Sequence, residues 1–191
     1  MMGRASHRWM EMGKKPSLEA IKALREKTSA SLNDVRSALE SSGGDEAKAL
    51  ELLRQRGAAI AEKRQGRATG QGRVEAYVHH DGRLGALVEI GCETDFVART
   101  PEVMQFCRDV AMQVAAMGPR YLRREELPTS AATSEEAVTA LCLLEQPFVK
   151  DQGSTVGDLL KALIAKTGEN VVIKRFVRFG VGETTEAQKA S

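Results

Sequence analysis

The chain has 191 residues, 42% of them hydrophobic, and its 28 Lys+Arg against 26 Asp+Glu leave a formal charge of +2. That length holds one medium domain, or a small and a larger one, with enough apolar material for a true core. So balanced a charge argues against a dedicated nucleic-acid coat, and no direct nucleic-acid partner is expected.

Cys92, Cys107 and Cys142 are odd in number and lack C-x-x-C spacing, which excludes a disulfide framework or a zinc site and points to a reducing compartment. No apolar run reaches the roughly 18 residues of a membrane span. A cytoplasmic protein is therefore expected. Residues 1–16 carry Arg4, His7, Arg8, Lys14 and Lys15 without an apolar stretch; they read as a basic disordered extension, an organellar presequence being the alternative.

Ser17 is placed to cap a helix with Leu18, Ile21 and Leu24 at three-residue spacing. A second helix, near Asn33 to Ser41, puts Val35, Ala38 and Leu39 on one face. Gly43-Gly44 stops it and Asp45 caps the third, which carries Ala49, Leu50 and Leu53 and is expected to end near Gly57. Residues 17–57 thus form a three-helix domain, marginal by size alone. Residues 58–72 read as a basic helical linker containing Lys63, Arg64 and Arg67, with Gly66, Gly70 and Gly72 toward its end. An RNA-contacting surface over Arg54 to Arg73 is the sharper alternative, but no aromatic is interleaved to stack on bases.

The core is expected over 73–182, with a flexible tail over 183–191. Two alternating runs, Val74 to His80 and Arg83 to Ile90, flank Asp81-Gly82, the signature of a hairpin with a type I′ turn. Leu84, Ala86, Val88 and Ile90 share one face of the second strand. Pro101 opens a helix with the stripe Val103, Cys107, Val110, Ala111 and Val114. Val156, Leu159, Leu160, Leu163 and Ile164 mark another, and Asn170 to Phe179 alternates as a third strand. The order gives an α+β fold: a helical domain, then an antiparallel three-stranded sheet packed with helices.

The second strand ends in Glu93-Thr94-Asp95-Phe96-Val97-Ala98-Arg99. A Phe with a carboxylate beside it, just where the chain leaves the sheet, is either a cap on the sheet's edge or a wedge offered to a partner. His79 and His80, adjacent on a strand, point to opposite faces and do not chelate one ion. Cys92 and Cys107 read as small buried hydrophobes, and Gln146-Pro147-Phe148-Val149 as an apolar anchor. No phosphate-cradling G-x-x-x-x-G-K-[ST], no G-x-S-x-G and no H-E-x-x-H occurs. Nothing therefore suggests catalytic residues, covalent enzymology, a cofactor or a metal.

The stretch from Glu93 to Arg99 resembles the central signature of the elongation factor Ts family, the guanine-nucleotide exchange factors of elongation factor Tu. The likeness extends in order from residue 17 to 183. It takes in Leu24-Arg25-Glu26-Lys27-Thr28, Asp34 to Leu39, Gly44 to Ala49 and Leu53 to Gly57. It continues through Glu145-Gln146-Pro147-Phe148-Val149 and Val177 to Glu183. The resemblance implies a ubiquitin-associated-like domain over 17–57, a dimerisation-type core with a possible homodimer, and GDP-bound elongation factor Tu as partner. It implies Thr94, Asp95, Phe96 and Val97 as the partner-binding exchange element, with Asp95 and Phe96 entering near the Mg²⁺ and nucleotide. Arg25, Arg99 and Phe148 are the expected secondary contacts. Two departures stand out: a compact region over 121–141, and Thr28-Ser29-Ala30-Ser31 where the family commonly has Gly after Thr. A module that binds the same partner without driving exchange remains an alternative.

Overall fold

A computed structural model describes residues 15–28, 30–131 and 134–183. Ser29, most of the N-terminal extension and nearly all of the C-terminal tail lie outside it, so the expectations placed there have no structural counterpart.

Helices α1 (Leu18–Thr28), α2 (Leu32–Ser41) and α3 (Glu46–Arg64) come first. Each has the cap its sequence offers. Ser17 Oγ accepts from Ala20 N–H at 3.1 Å, Ser31 Oγ from Asp34 N–H at 3.2 Å, and Asp45 Oδ1 from Lys48 N–H at 3.1 Å. These caps satisfy donors that the first turn of a helix leaves orphaned. Ile21, Leu24, Val35, Ala38, Leu39, Ala49 and Leu53 close into one small core. Leu18, expected in it, is 77% exposed, because the first residue of α1 lies beyond the reach of α2 and α3.

The third helix does not end near Gly57. It runs on to Arg64, and Gly57 is a point of close approach: a Cβ there would stand 3.8 Å from the Lys161 carbonyl and 3.9 Å from the Ala165 Cβ of a later helix. Ile60 and Ala61, one turn further along, pack against the second core. One helix therefore serves two cores, its first half the helical domain and its second half the sheet domain. Ordinary contact distance leaves room for one methyl. Gly57→Ala is expected to raise stability by about 0.5–1 kcal/mol, the intrinsic helix preference for Ala over Gly. Gly57→Leu is expected to lower it, because the longer side chain meets that helix; thermal unfolding of both variants checks the pair.

Strands β1 (Gln71–Val78) and β2 (Leu84–Cys92) pair antiparallel from Gln71↔Cys92 to Val78↔Gly85. The turn between them departs from type I′. Gly82 N–H bonds to the His79 carbonyl at 2.8 Å and Gly82 takes φ 67°, so the turn is closed one residue earlier than a turn centred on Asp81-Gly82. The Asp81 carboxylate accepts from Arg83 N–H at 3.0 Å and holds this form. His79 and His80 consequently lie in the turn and not on a strand, with ring centroids 4.3 Å apart; the opposite-faces argument does not apply to them. Among the described residues no group of three or more His, Cys, Asp or Glu side chains is arranged to hold a metal ion.

After β2 come a single turn, α4 (Asp95–Ala98), and the long α5 (Pro101–Met117). Two one-turn 3₁₀ helices (Arg124–Glu126 and Leu143–Glu145) flank α6 (Glu135–Leu141). The chain then forms a two-stranded hairpin that the sequence reading did not foresee, β3 (Pro147–Phe148) and β4 (Asp151–Thr155), before α7 (Val156–Thr167) and β5 (Val171–Gly180). The main sheet has the order β1-β2-β5, all antiparallel. A register shift between Glu89 and Ile90 leaves Lys174 as the extra residue of a bulge.

One face of this sheet is the core. Ala86, Val88, Ile90, Cys92, Val171 and Ile173 meet the α5 stripe Val103, Cys107, Val110, Ala111 and Val114. All three cysteines are buried and free. Desolvation pushes the Cys107 thiol up to about 12, which suits a thiol that serves as a small hydrophobe. On the opposite face Val74, Val78, Leu87, Val177 and Phe179 remain exposed. No described helix is long and apolar enough to cross a membrane.

Candidate functional site

The site is built where β2 ends and β5 begins. The last rung of their ladder pairs Cys92 with Val171, and beyond it Thr94 N–H and Asn170 N–H are each taken by a carboxylate from the opposite segment. Glu169 Oε2 accepts from Thr94 N–H at 3.0 Å, and Glu169 Oε1 accepts from the Thr94 hydroxyl at 2.7 Å. In return Glu93 Oε1 accepts from Asn170 N–H at 2.6 Å. Asn170, buried, donates its side-chain amide to the Arg67 carbonyl at 2.8 Å, and the Arg67 guanidinium meets Glu93 at 3.4 Å. The Asn170 N–H, with Arg67 beside it, holds the Glu93 carboxyl below the usual carboxylate range.

Held in this way, Thr94 caps α4: its Oγ1 accepts from Val97 N–H at 3.3 Å. Val97 and Ala98 turn inward and are 7% and 5% exposed. Phe96 turns outward and is 78% exposed, which overturns the reading of it as a cap on the sheet's edge. Asp95 sits beside it and pairs with Arg99 at 3.1 Å, both side chains largely in solvent; a pair so exposed contributes little to stability. Thr94, Asp95, Phe96, Val97 and Arg99 are therefore brought together. Arg25 is exposed on α1, and Phe148 is buried on β3; neither belongs to this cluster.

The arrangement is a protrusion. An open cleft of about 950 Å³ between the helical domain and the core is lined by residues such as Arg54, Phe106, Phe148 and Leu159, and it includes neither Asp95 nor Phe96. An exposed aromatic raised on an anchored turn is suited to entering a partner surface. The cations of the 54–73 stretch are largely engaged within the chain. Arg54 donates to the Gly153 carbonyl, Arg56 pairs with Asp34, Arg67 with Glu93 and Arg73 with Glu75.

Glu169, Asn170 and Arg67 carry no signal that a sequence reading could have joined to Thr94, from which Glu169 lies 75 residues away. Only the pairing of β2 with β5 brings them together.

Comparison with known proteins identifies the family. The family described as elongation factor TS matches residues 16–141. Elongation factor Ts of Rubrobacter xylanophilus is 47% identical over 189 residues, covering 85% of this chain and 97% of that protein. Elongation factor Ts of Carboxydothermus hydrogenoformans is 46% identical, covering 86% and 88%. That of Thermotoga neapolitana is 45% identical, covering 87% and 98%. Nearly the full lengths of the first and third relatives are matched. By its family match and by these relatives, the chain, with three N-terminal helices and an antiparallel sheet, belongs to the elongation factor Ts family of translation elongation factors.

Proposed function

We propose that this chain is a guanine-nucleotide exchange factor that binds GDP-bound elongation factor Tu in the cytoplasm and promotes GDP release. The observation that carries the reading is Phe96, a large aromatic left 78% exposed on a turn anchored by the buried Val97 and Ala98. Full burial of such a side chain contributes about 1.5–3 kcal/mol, a gain the isolated chain forgoes and a partner can supply. Phe96 is the inserted group and Asp95 its polar neighbour; Thr94 and Val97 hold the turn. Arg99 and Arg25 supply rim contacts, and Phe148, being buried, supports the β3–β4 hairpin from inside.

The chemistry is non-covalent. Mg²⁺ in a GTPase bridges phosphate oxygens and hard protein ligands, so a small shift of those ligands weakens the hold on GDP. The factor need only bind the nucleotide-poor state more tightly than the loaded one. Elongation factor Tu charged with a fluorescent GDP analogue, in excess unlabelled GDP, provides the test. Catalytic amounts of the chain are expected to accelerate release; unchanged release with a folded chain overturns the exchange reading and leaves a binder.

The open sheet face supports a second element of the proposal, contact with another copy of the chain. Val74, Val78, Leu87, Val177 and Phe179 are exposed there, and the flanking Glu89 and Arg175 already pair with each other at 2.6 Å. A two-fold copy therefore meets apolar surface and no like-charged field. Light scattering is expected to show a dimer that Phe179→Asp converts to monomer at unchanged melting temperature. A wild-type monomer at tens of micromolar removes this element.

A further inference from the structure

The reciprocal clasp between Glu93-Thr94 and Glu169-Asn170 is the least ordinary polar feature of the described residues. Helix α4 has only four residues, and a helix of one turn does not persist by its own backbone bonds. Two things hold it: the inward anchors Val97 and Ala98, and the cap Thr94. Thr94 is in turn fixed from outside its own segment. Both of its hydrogen-bond donors, the backbone N–H and the hydroxyl, end on the two oxygens of the Glu169 carboxylate. With its proton directed to Glu169, the hydroxyl keeps a lone pair for Val97 N–H. The bidentate bond thus sets the hydroxyl's direction as well as its position.

Glu169 is aimed by the end of α7. Gly168 closes that helix in the left-handed conformation, φ 70°, donating its N–H to the Ile164 carbonyl, and the chain turns there toward the Thr94 loop. Glu93 completes the clasp on the opposite side through Asn170 N–H. Below it the Cys92 thiol, buried, donates to the Thr94 carbonyl at 3.1 Å. Donor and acceptor groups of Thr94 are thereby satisfied by residues flanking both strands at one end of the β2–β5 pair.

We propose that Glu169 is a positioning residue for Phe96: its carboxylate presets the Thr94 turn so that Phe96 projects in the conformation that enters the partner. This rests on the exchange reading above. It predicts a particular kinetic signature. When a turn samples several shapes, only the competent fraction binds, and apparent affinity falls by that fraction. Turnover at saturation is untouched, because the partner selects the competent shape. A variant that merely unfolds part of the sample does the reverse, lowering apparent kcat at unchanged KM.

The test compares wild type, Glu169→Ala and Glu169→Gln by two readouts. The first is fluorescent GDP release from elongation factor Tu over a range of partner concentration. The second is amide hydrogen exchange of Thr94 and Val97. Glu169→Ala is expected to raise KM about tenfold with kcat within twofold of wild type, and to speed exchange at both amides about tenfold or more. Glu169→Gln keeps one acceptor oxygen for the Thr94 N–H and is expected to recover much of both losses. Wild-type kinetics in Glu169→Ala, or wild-type protection of Thr94 and Val97, overturns the proposal. A fall in kcat at constant KM overturns it too, in favour of a purely structural role. A wild-type chain that does not accelerate release instead removes the exchange reading, and amide exchange still decides whether Glu169 holds the turn.

Discussion

Phe96→Ala is expected to lower kcat/KM for GDP release by about 30- to 1,000-fold, the loss of about 2–4 kcal/mol that removal of a central aromatic anchor produces at an interface. The melting temperature is expected to stay at the wild-type value. Phe96 is 78% exposed and makes no part of either core, so its removal leaves no cavity. Asp95→Ala is expected to have a smaller effect of the same sign, since among the described residues Asp95 pairs only with the solvent-exposed Arg99. The double variant isolates the role of the turn. If it abolishes release while circular dichroism and melting remain native, the wedge is separated from the scaffold. If it unfolds the chain, Asp95 and Phe96 serve the fold and the wedge assignment fails.

Gln113→Leu is expected to destabilise the chain by about 2–6 kcal/mol without touching the protruding turn. Gln113 lies in the C-terminal half of α5 and is 0% exposed, with Gln146 at 1% beside it. Its Nε2 donates to Gln146 Oε1 and to the Pro147 carbonyl, both at 3.1 Å. Its Oε1 accepts from Val149 N–H at 2.9 Å, and Gln146 Nε2 donates to the Ala140 carbonyl at 2.9 Å. The network leaves no buried side-chain polar atom unpaired among the described residues. Leucine fills much of the same volume but takes a partner from Gln146, Pro147 and Val149 at once; the exposed Pro147 turns its carbonyl to water, and the other two unsatisfied groups cost about 1–3 kcal/mol each. Denaturant unfolding checks the value: the midpoint should fall at unchanged slope. A loss below about 1 kcal/mol would mean that water replaces Gln113 in the network.

That network also explains what Gln146-Pro147-Phe148-Val149 does. The segment reads from sequence as an apolar anchor. In the structure Phe148 is indeed buried, but Gln146 and the backbone at Pro147 and Val149 are tied to α5 by one glutamine. A glutamine in an otherwise apolar helix stripe carries no label saying that it faces inward. Its partners lie more than thirty residues away, so only the packed molecule shows that burial is paid for by hydrogen bonds.

What the sequence by itself determined is whatever depends on near neighbours. Ser17, Ser31 and Asp45 cap the helices they precede, because a short side-chain oxygen reaches an amide two or three residues on. The hairpin of β1 and β2, the α5 stripe and the three-stranded antiparallel sheet follow from periods of two and of 3.6. That the chain leaves β2 just before Thr94-Asp95-Phe96-Val97 was legible as well, from where the alternation stops. The tertiary structure alone decided the rest. Gly57 has the look of a helix stop, yet it is kept inside α3 because α7 passes close to it. The Asp81-Gly82 turn shifts by one residue because a carboxylate captures the next amide. The one-turn helix under Phe96 is held by Glu169, a residue with no local relation to it, because two strands that pair must both end, and the amides just past their last rung need partners from whatever chain lies opposite.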